Sequence, residues 1–445
     1  MSANSICKAF LALQLVLCFL SWHTAVGLPA ACPVLEPVQC PQRPVAPGTP
    51  PVPKPPAETL EQQAAIIARL QDMLAADNAL LGSASSSGVF CMQQPLHQQQ
   101  VGEQQGIDSN LQQPPSRTTG TNTTAVYNGP RSQVNRTLTF LNSSRIAAGV
   151  DVARAGTLSW VSSPCLPPPY TNENLVSDWD QGRLIQQSYY GCPDGSCWVG
   201  HPWVWNPVQG GSWENKRSIT TKAELTQGQR IYTEGYPRNW ASQELRPEIV
   251  FGSEYTLGAD GDHIVAHYTA AYNGNITHPI LDQEVPAVFV RRPFSVLARY
   301  EGEQPWTKDE NITYTFPGAS NAYGSFSESW VAWLDPETGT GIGVYQPHAT
   351  LFTAYRVPAT TEASDMPWHT SYSALLVRAQ FYPGMPTFEY EAYIAVGRLS
   401  AIRATLEKIH ASLAPAGKAA AAARPLQHAE GVQPMAGNRI TPTQF

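Results

Sequence analysis

The sequence predicts an all-β protein whose main domain, residues 146–410, is a large antiparallel β-sandwich. Apolar and polar side chains alternate along short runs, most clearly over His263–Tyr272. Turn-forming stretches such as Gly258–Asp262 and Asp335–Gly339 separate these runs. No amphipathic helical pattern lies between them, which argues against a parallel sheet with crossover helices. Hydrophobic residues make up 42% of the chain, which is enough for a sizeable core.

The expected strands follow one another along the domain with a turn signal after each. In chain order they are Thr157–Val161, Leu184–Tyr190, Arg230–Glu234, Glu248–Leu257, His263–Tyr272, Ala287–Arg291, Ser295–Tyr300, Ile312–Phe316, Ser329–Leu334, Gly341–Tyr345, Thr350–Arg356, Tyr372–Gln380 and Thr387–Val396. Strands in this number suit one large sandwich, a size that all-β domains reach.

The N-terminal stretch, residues 1–27, is typical of a secretory signal peptide. Lys8 precedes the apolar run Ala9–Leu20, which is too short to cross a bilayer. Small residues at Ala25 and Gly27 suit a cleavage site. We therefore expect a secreted protein, extracellular or in the cell wall, with no membrane association after cleavage.

The charge composition narrows the classes of partner and cofactor. Charged residues make up only 14% of the chain, the net charge is −7, and no basic run is present. We therefore expect no nucleic-acid partner. The sequence contains no zinc-ligand spacing, phosphate loop or dinucleotide fingerprint, so no metal and no cofactor is predicted.

Two segments lie between the signal peptide and the polar region that precedes the domain. Residues 28–56 are proline-rich and are expected to form a stiff linker. Residues 57–82 are expected to form an amphipathic helix, with Leu60, Ile67 and Leu74 spaced by seven. This helix either lies on the domain, which we favour, or forms a short coiled coil that weakly oligomerises the protein.

Composition also sets the expectations on either side of the domain. Residues 83–145 are rich in Gln, Ser and Thr and are expected to have low order, although the apolar piece Leu138–Leu141 suits docking onto the domain. At the other end, Ser400 is expected to start a helix, and residues 411–445 to form a disordered tail.

An even number of cysteines remains after signal cleavage, which predicts three disulfides. Proximity in the sequence favours Cys32–Cys40 and Cys192–Cys197, leaving Cys91–Cys165, among fifteen possible connectivities. The predicted glycosylation sites are the asparagines of five Asn-X-Ser/Thr sequons: Asn122, Asn135, Asn142, Asn275 and Asn311.

The stretch Asp178–Gln209 concentrates aromatic and planar hydrogen-bonding side chains. Aromatic rings stack on sugars, and guanidinium and amide groups bind hydroxyls and carboxylates with fixed geometry. The predicted substrate-binding residues are Arg183, Gln186, Tyr190, Trp205, Asn206 and Gln209. For Arg183 the alternative is a buried ion pair with Asp180 that fixes the turn.

The same stretch carries a resemblance to known proteins. Residues 148–190, with Asp180-Gln181-Gly182-Arg183, resemble the opening of galactose-mutarotase-like β-supersandwich proteins. The pattern Gly182-Arg183-x-Ile185-Gln186-x-Ser188-Tyr189-Tyr190, followed by Trp205-Asn206-Pro207-Val208-Gln209, is similar to that of a group of uncharacterised secreted proteins, mostly bacterial. The resemblance covers residues 146–410 and implies a supersandwich fold. The superfamily includes sugar epimerases, polysaccharide lyases and glycoside hydrolase domains, so the resemblance implies carbohydrate chemistry without selecting a reaction.

The candidate catalytic residues are Glu284, Glu328, Tyr189 and His267. Glu284 suits a general acid or base, and its alternative is a salt bridge or a hydrogen bond that pins a loop. Glu284 paired with Glu328 would allow glycosidase chemistry. Tyr189 or His267 with Arg183 would instead suit a lyase acting on a uronate, although a structural role for His267 is the simpler interpretation.

The sequence therefore predicts a secreted protein that acts on a polysaccharide or wall glycan by lyase or hydrolase chemistry. The alternative is a non-catalytic, glycan-binding matrix glycoprotein. The two hypotheses differ in one structural requirement: the enzyme needs Glu284 or Glu328 to face an aromatic cleft around Trp205.

Overall fold

The computed structural model describes residues 60–83, 124–127, 134–191, 205–307, 311–357 and 366–420. The predicted signal peptide, the proline-rich linker and most of the C-terminal tail lie outside these residues. Among the described residues, no helix is long and apolar enough to cross a membrane.

Two helices and twenty strands make up the described fold. The helices are α1 (Leu60–Ser83) and α2 (Leu399–Ala420). The strands are β1 (Thr124–Tyr127), β2 (Arg136–Asn142), β3 (Ala147–Asp151), β4 (Thr157–Ser162), β5 (Ile185–Ser188), β6 (Pro207–Val208), β7 (Ile219–Thr226), β8 (Arg230–Tyr236), β9 (Arg238–Asn239), β10 (Ile249–Leu257), β11 (His263–Tyr272), β12 (Leu281–Arg291), β13 (Val296–Tyr300), β14 (Ile312–Thr315), β15 (Ala322–Ser325), β16 (Trp330–Leu334), β17 (Thr340–Tyr345), β18 (Leu351–Val357), β19 (Thr370–Ala379) and β20 (Phe388–Arg398).

The strands form two antiparallel sheets. The first has eleven strands in the order β1-β2-β3-β4-β5-β12-β19-β18-β15, with β6 and β9 branching from β5. The second has nine strands in the order β14-β13-β16-β17-β20-β11-β10-β8-β7. The predicted all-β antiparallel sandwich is confirmed.

The main core lies between the two sheets. One face of each sheet contributes fully buried apolar side chains, among them Ile185, Val288 and Leu375 from the first and Phe251, Ile264 and Ile394 from the second. β11 alternates strictly between buried and partly exposed residues, as its sequence predicts. The first sheet therefore has a second face, directed away from this core, that is available for a site.

Both helices pack on the outer face of the second sheet. Leu70 and Leu74 of α1 and Ile402 and Leu406 of α2 join one apolar cluster with that sheet. Arg398, at the end of β20, forms an ion pair with Asp77 of α1 at 2.9 Å. In this arrangement α1 lies on the domain, and α2 extends into the segment predicted as tail. Oligomerisation through residues 57–82 stays a prediction.

Strand structure begins earlier in the chain than the composition indicates. β1 and β2 lie inside the segment 83–145 for which low order was expected. The polar composition hides residues that are buried on both faces of β2: Leu141 joins the main core, and Arg136 and Leu138 are fully buried on the opposite face. The low-order prediction is therefore wrong for these two strands.

Some strands escape prediction because they carry no alternation. β7 is an edge strand that is exposed along almost its entire length, so its sequence Ile219–Thr226 shows no buried face. β6 and β9 have only two residues each. The sequence signal for a strand is the alternation of apolar and polar residues, and these three strands do not show it.

Candidate functional site

The best candidate site is a buried carboxyl group on the outer face of the first sheet. Glu284 of β12 is 5% exposed and directly precedes a register shift between Glu284 and Ala287. Its Oε1 accepts a hydrogen bond from the Tyr190 hydroxyl at 2.7 Å and another from the Tyr372 hydroxyl. Ser188, its cross-strand partner on β5, adds a further hydrogen bond. Bulges of this kind often re-aim a side chain beside an active site.

Burial controls the protonation of this cluster. Removal from water raises the pKa of Glu284, and the hydrogen bonds from Tyr372, Tyr190 and Ser188 only partly oppose that rise. Burial and the neighbouring carboxyl also raise the pKa values of Tyr190 and Tyr372, so both hydroxyls stay protonated donors at neutral pH. Among the described residues, no Arg, Lys or His side chain forms an ion pair with Glu284.

A row of aromatic rings crosses the sheet beside Glu284. The ring centroid of Tyr372 lies 4.6 Å from that of Phe289 and 4.5 Å from that of Tyr355. Tyr323 on the edge strand β15 is 71% exposed. β12, β19, β18 and β15 are neighbours in the sheet, so this row extends from the carboxyl towards the sheet edge.

Arg183 brings a cation to the same region. Its Nε lies 3.1 Å from Oδ2 of Asp180, and its Nη1 donates to the backbone oxygen of Trp368. The Trp368 side chain is 39% exposed. The charge of Arg183 also acts on the Tyr355 hydroxyl, opposing the rise of its pKa that burial causes. The alternative interpretation of Arg183, an ion pair with Asp180, is therefore the one observed.

A second buried arginine holds the loop that carries Arg183. Nη2 of Arg136 donates to the backbone oxygens of Asp178 at 3.1 Å and Asp180 at 2.9 Å. Gly182 is required here, because a Cβ at this position would come within 1.7 Å of the Trp240 ring. The motif Gly182-Arg183 thus reflects a tightly packed loop that fixes the guanidinium.

The three predicted amide ligands are structural. Gln186, Asn206 and Gln209 are at most 1% exposed. Each bonds to the backbone: Gly210 N donates to Gln186 Oε1 at 2.7 Å, Gln187 N to Gln209 Oε1 at 3.0 Å, and Asn206 Nδ2 donates to Tyr189 O at 2.7 Å. Since β5 and β6 are short, these amides satisfy backbone groups that a regular ladder would have paired. This corrects the expectation that they contact a ligand.

Trp205 and Tyr189 belong to the core. Trp205 is 4% exposed, stacks on His278 with ring centroids 3.9 Å apart, and donates to Glu248 at 3.1 Å. Tyr189 is fully buried and donates to Gln187 Oε1 at 2.8 Å. The predicted Trp205 cleft is therefore wrong, and Tyr189 cannot reach a substrate. Adjacent residues of a strand face opposite sides, so only Tyr190 meets Glu284.

Glu328 and His267 lie elsewhere. Glu328 is fully buried beneath α2, where it pairs with Arg403 at 2.5 Å and accepts the Trp330 indole N–H at 2.6 Å. His267 lies on β11 of the second sheet, 3.7 Å from the exposed Glu389. Neither joins Glu284, so the predicted Glu284–Glu328 pair is corrected to two separate carboxyl groups.

The remaining predicted sites are modification sites. Cys165 is disulfide-bonded, while Cys32, Cys40, Cys91, Cys192 and Cys197 lie outside the described residues, so the connectivity stays a prediction. Asn135, Asn142, Asn275 and Asn311 are exposed, as glycan attachment requires, and Asn122 lies outside the described residues. Within the described part of the chain, no group of three or more His, Cys, Asp or Glu side chains could hold a metal ion.

Sequence analysis missed most of the aromatic residues around Glu284. Tyr372 and Tyr355 lie on predicted strands, but both faces of β19 are buried over most of its length, which removes the alternation that would have assigned the rings to one face. Tyr323 belongs to a short strand that was not predicted, and Trp368 precedes β19. Tyr372 and Tyr355 are cross-strand partners on β19 and β18, and this pairing could have placed them together. The sequence shows it only if the register of the two strands is known.

The sequence matches no protein-family model and no curated protein. Among solved structures, the chain is similar to a putative aldose 1-epimerase from Escherichia coli K12, with 9% identity, a TM-score of 0.39, and coverage of 59% of this chain and 99% of that one. A galactose mutarotase-like protein from Lactobacillus casei gives 9% identity and a TM-score of 0.39 over 58% of this chain and 100% of that one. A 4-alpha-glucanotransferase from Thermococcus litoralis gives 10% identity and a TM-score of 0.37 over 62% of this chain and 39% of that one.

Proposed function

We propose that this protein acts on a polysaccharide or wall glycan at the outer face of the first sheet, with Glu284 as the proton-transferring group. The observation that carries the proposal is the buried Glu284 carboxyl, which accepts hydrogen bonds from two tyrosine hydroxyls and forms no ion pair with the Arg, Lys and His side chains that the structure describes. Burial raises the pKa of Glu284, and a carboxyl group with a raised pKa is better suited to both accept and return a proton than an ordinary one. Structural carboxylates in proteins are more commonly paired with a cation when they are buried.

Lyase chemistry suits this arrangement better than hydrolysis. Glycoside hydrolysis generally needs two carboxyl groups about 5–10 Å apart. Glu328 is bound to Arg403 beneath α2, on the outer face of the second sheet. Asp180 is bound to Arg183, and Asp282, two residues before Glu284 on β12, is bound to Arg378. Elimination from a uronate needs one group that removes a proton from the carbon beside the carboxylate. The freed electron pair forms the new double bond, the glycosidic C–O bond breaks, and the protonated Glu284 returns its proton to the departing oxygen.

Arg183 supplies the matching cation for an anionic sugar. Two of its nitrogens, Nε and Nη1, are held by Asp180 and the backbone of Trp368. We propose that the third, Nη2, binds the substrate carboxylate, because a rigid guanidinium fork suits carboxylate geometry. The partly exposed rings of Trp368 and Tyr323 offer stacking faces for neighbouring sugars.

The test is to incubate the protein with uronate-containing and neutral polysaccharides while following both the absorbance of unsaturated product and the formation of reducing ends. We expect unsaturated product from a uronate polymer, and a loss of about 10²-fold or more in rate for Glu284→Gln. Glu337→Gln, a change on the exposed far side of the second sheet, is the matched control and should keep the wild-type rate. Reducing ends without absorbance would replace the lyase with a hydrolase.

A non-catalytic glycan-binding role is the second candidate, favoured by the contrast between the exposed Tyr323 ring and the enclosed Glu284 carboxyl. It predicts binding without product, binding unchanged in Glu284→Gln, and binding lost in Trp368→Ala. Isothermal titration with the same polymers separates the two roles, because the lyase alone requires Glu284.

A further inference from the structure

The two tyrosine hydroxyls bind the same carboxyl oxygen of Glu284. Oε1 accepts from Tyr190 at 2.7 Å and from Tyr372. A carboxyl oxygen has two lone pairs, so two donors occupy both. A proton on the carboxyl must then sit on the other oxygen, Oε2.

We infer that Tyr190 and Tyr372 are positioning residues that hold Oε1 of Glu284 and leave Oε2 as the oxygen that carries and transfers the proton. This inference rests on the proposed role of Glu284 in proton transfer and adds which atom performs it. When Oε1 is held, the position of Oε2 is also fixed. The proton then leaves or arrives along one direction, which proton transfer at a substrate requires.

Both tyrosines are themselves held in place. The backbone of Tyr190 forms two hydrogen bonds with the side chain of Gln283: Tyr190 N donates to Oε1 at 2.7 Å and Gln283 Nε2 donates to Tyr190 O at 3.0 Å. Gln283 directly precedes Glu284. These two bonds therefore hold Tyr190, the donor, beside Glu284, the acceptor. The Tyr372 ring is packed between those of Phe289 and Tyr355.

The other polar groups of the cluster are compatible with this arrangement. Ser188 contributes a hydrogen bond to the carboxyl from β5, and because the tyrosines fill both lone pairs of Oε1, this bond falls on Oε2, whose second lone pair stays available for the proton. Tyr355 and Tyr323 interact with the charge of Glu284 from β18 and β15, and the Arg183–Asp180 pair acts on Tyr355. The charge of Arg183 is balanced by Asp180, with which it forms an ion pair. The tyrosine hydroxyls are therefore the principal groups that stabilise the charged carboxylate of Glu284.

The test measures the titration of Glu284 directly, by carbon-13 NMR of protein labelled at glutamate, with Glu284→Gln to assign the signal. Each of Tyr190→Phe and Tyr372→Phe removes one hydrogen bond that favours the carboxylate. We expect the midpoint of Glu284 to rise by about one pH unit in each variant, since a hydrogen bond to a charged group is of that order. Tyr355→Phe removes a hydroxyl from the same aromatic row that does not bond to Glu284, and it should leave the midpoint unchanged.

Unchanged or lowered midpoints in both tyrosine variants would overturn the inference. A rise in only one variant would also overturn the two-donor arrangement and assign the role to that tyrosine alone. The titration needs no substrate, so it separates this inference from the proposed function. If a substrate is turned over, the limb of the pH–rate profile that depends on Glu284 should move upward in the same two variants, whereas a purely structural role would lower the rate without moving it.

Discussion

Glu284 and Glu328 are two buried carboxyl groups in different surroundings. Both lie almost out of reach of solvent, and both accept hydrogen bonds from aromatic side chains. Glu328 also pairs with the guanidinium of Arg403 at 2.5 Å, whereas the described side chains that bond to Glu284 are the neutral hydroxyls of Tyr372, Tyr190 and Ser188. The sequence predicted both as catalytic residues, with Glu328 as the partner of Glu284 in glycosidase chemistry.

The difference between them is the partly buried guanidinium of Arg403 beside Glu328. Glu328 lies in the loop before β16. Its bonds to Arg403 of α2 and to the indole of Trp330 connect α2 with β16 and this loop. Within the described part of the chain Glu284 has no such partner, and burial raises its pKa. We interpret the ion-paired Glu328 as structural and propose that Glu284, held by neutral donors, exchanges a proton.

Removing the charge of Glu328 should have the largest effect. In Glu328→Gln the partly buried Arg403 loses the carboxylate of Glu328, and we expect a loss of about 3 kcal/mol or more in the free energy of unfolding, measured by denaturant titration. The double variant Glu328→Gln/Arg403→Met removes both charges and should cost less than the sum of the two single changes. Strictly additive losses would contradict a direct ion pair.

Removing the charge of Glu284 should have a smaller effect on stability, and its sign should depend on pH. The pKa of Glu284 is raised in the folded protein, so below pH 4.5, the ordinary value, both states hold the proton. As pH rises above that value, the unfolded chain releases the proton before the folded protein does, and the wild type loses stability. Glutamine still accepts from both tyrosines but cannot ionise.

The comparison of wild type with Glu284→Gln by denaturant titration between pH 4.5 and pH 8 measures this slope. We expect the variant to gain stability relative to the wild type across that window. If the difference in unfolding free energy between the variant and the wild type shrinks or stays constant as pH rises, Glu284 ionises in the folded protein as readily as in the unfolded chain.

The smallest effect is expected for an exposed carboxylate. Glu337 pairs with Arg69 of α1 at 2.8 Å, but the two side chains are 71% and 45% exposed. Water screens such a pair, so Glu337→Gln should cost less than about 0.5 kcal/mol in unfolding free energy and even less in high salt. A cost comparable to that of Glu328→Gln would mean that this ion pair is the principal attachment of α1.

Local sequence pattern was sufficient where burial alternates. The strand His263–Tyr272 has the bounds that its sequence predicted, because one face is in the core and the other meets solvent. The same signal failed on β19, where Ser371 and Ser373 face the core while Tyr372 and Ala374 are buried on the outer face. It also failed on the stretch Gln186–Tyr190, whose buried amides bond to backbone.

The sequence by itself determined the class of fold, since period-two alternation and turn chemistry are local properties of the chain. It also singled out both glutamates. Only the tertiary structure decided their roles, because their partners come from distant strands and helices: Tyr372 lies 88 positions from Glu284, and Arg403 lies 75 positions from Glu328. Whether a buried carboxyl meets a cation or neutral hydroxyls depends on strand register and sheet order, and these arise from packing of the whole domain.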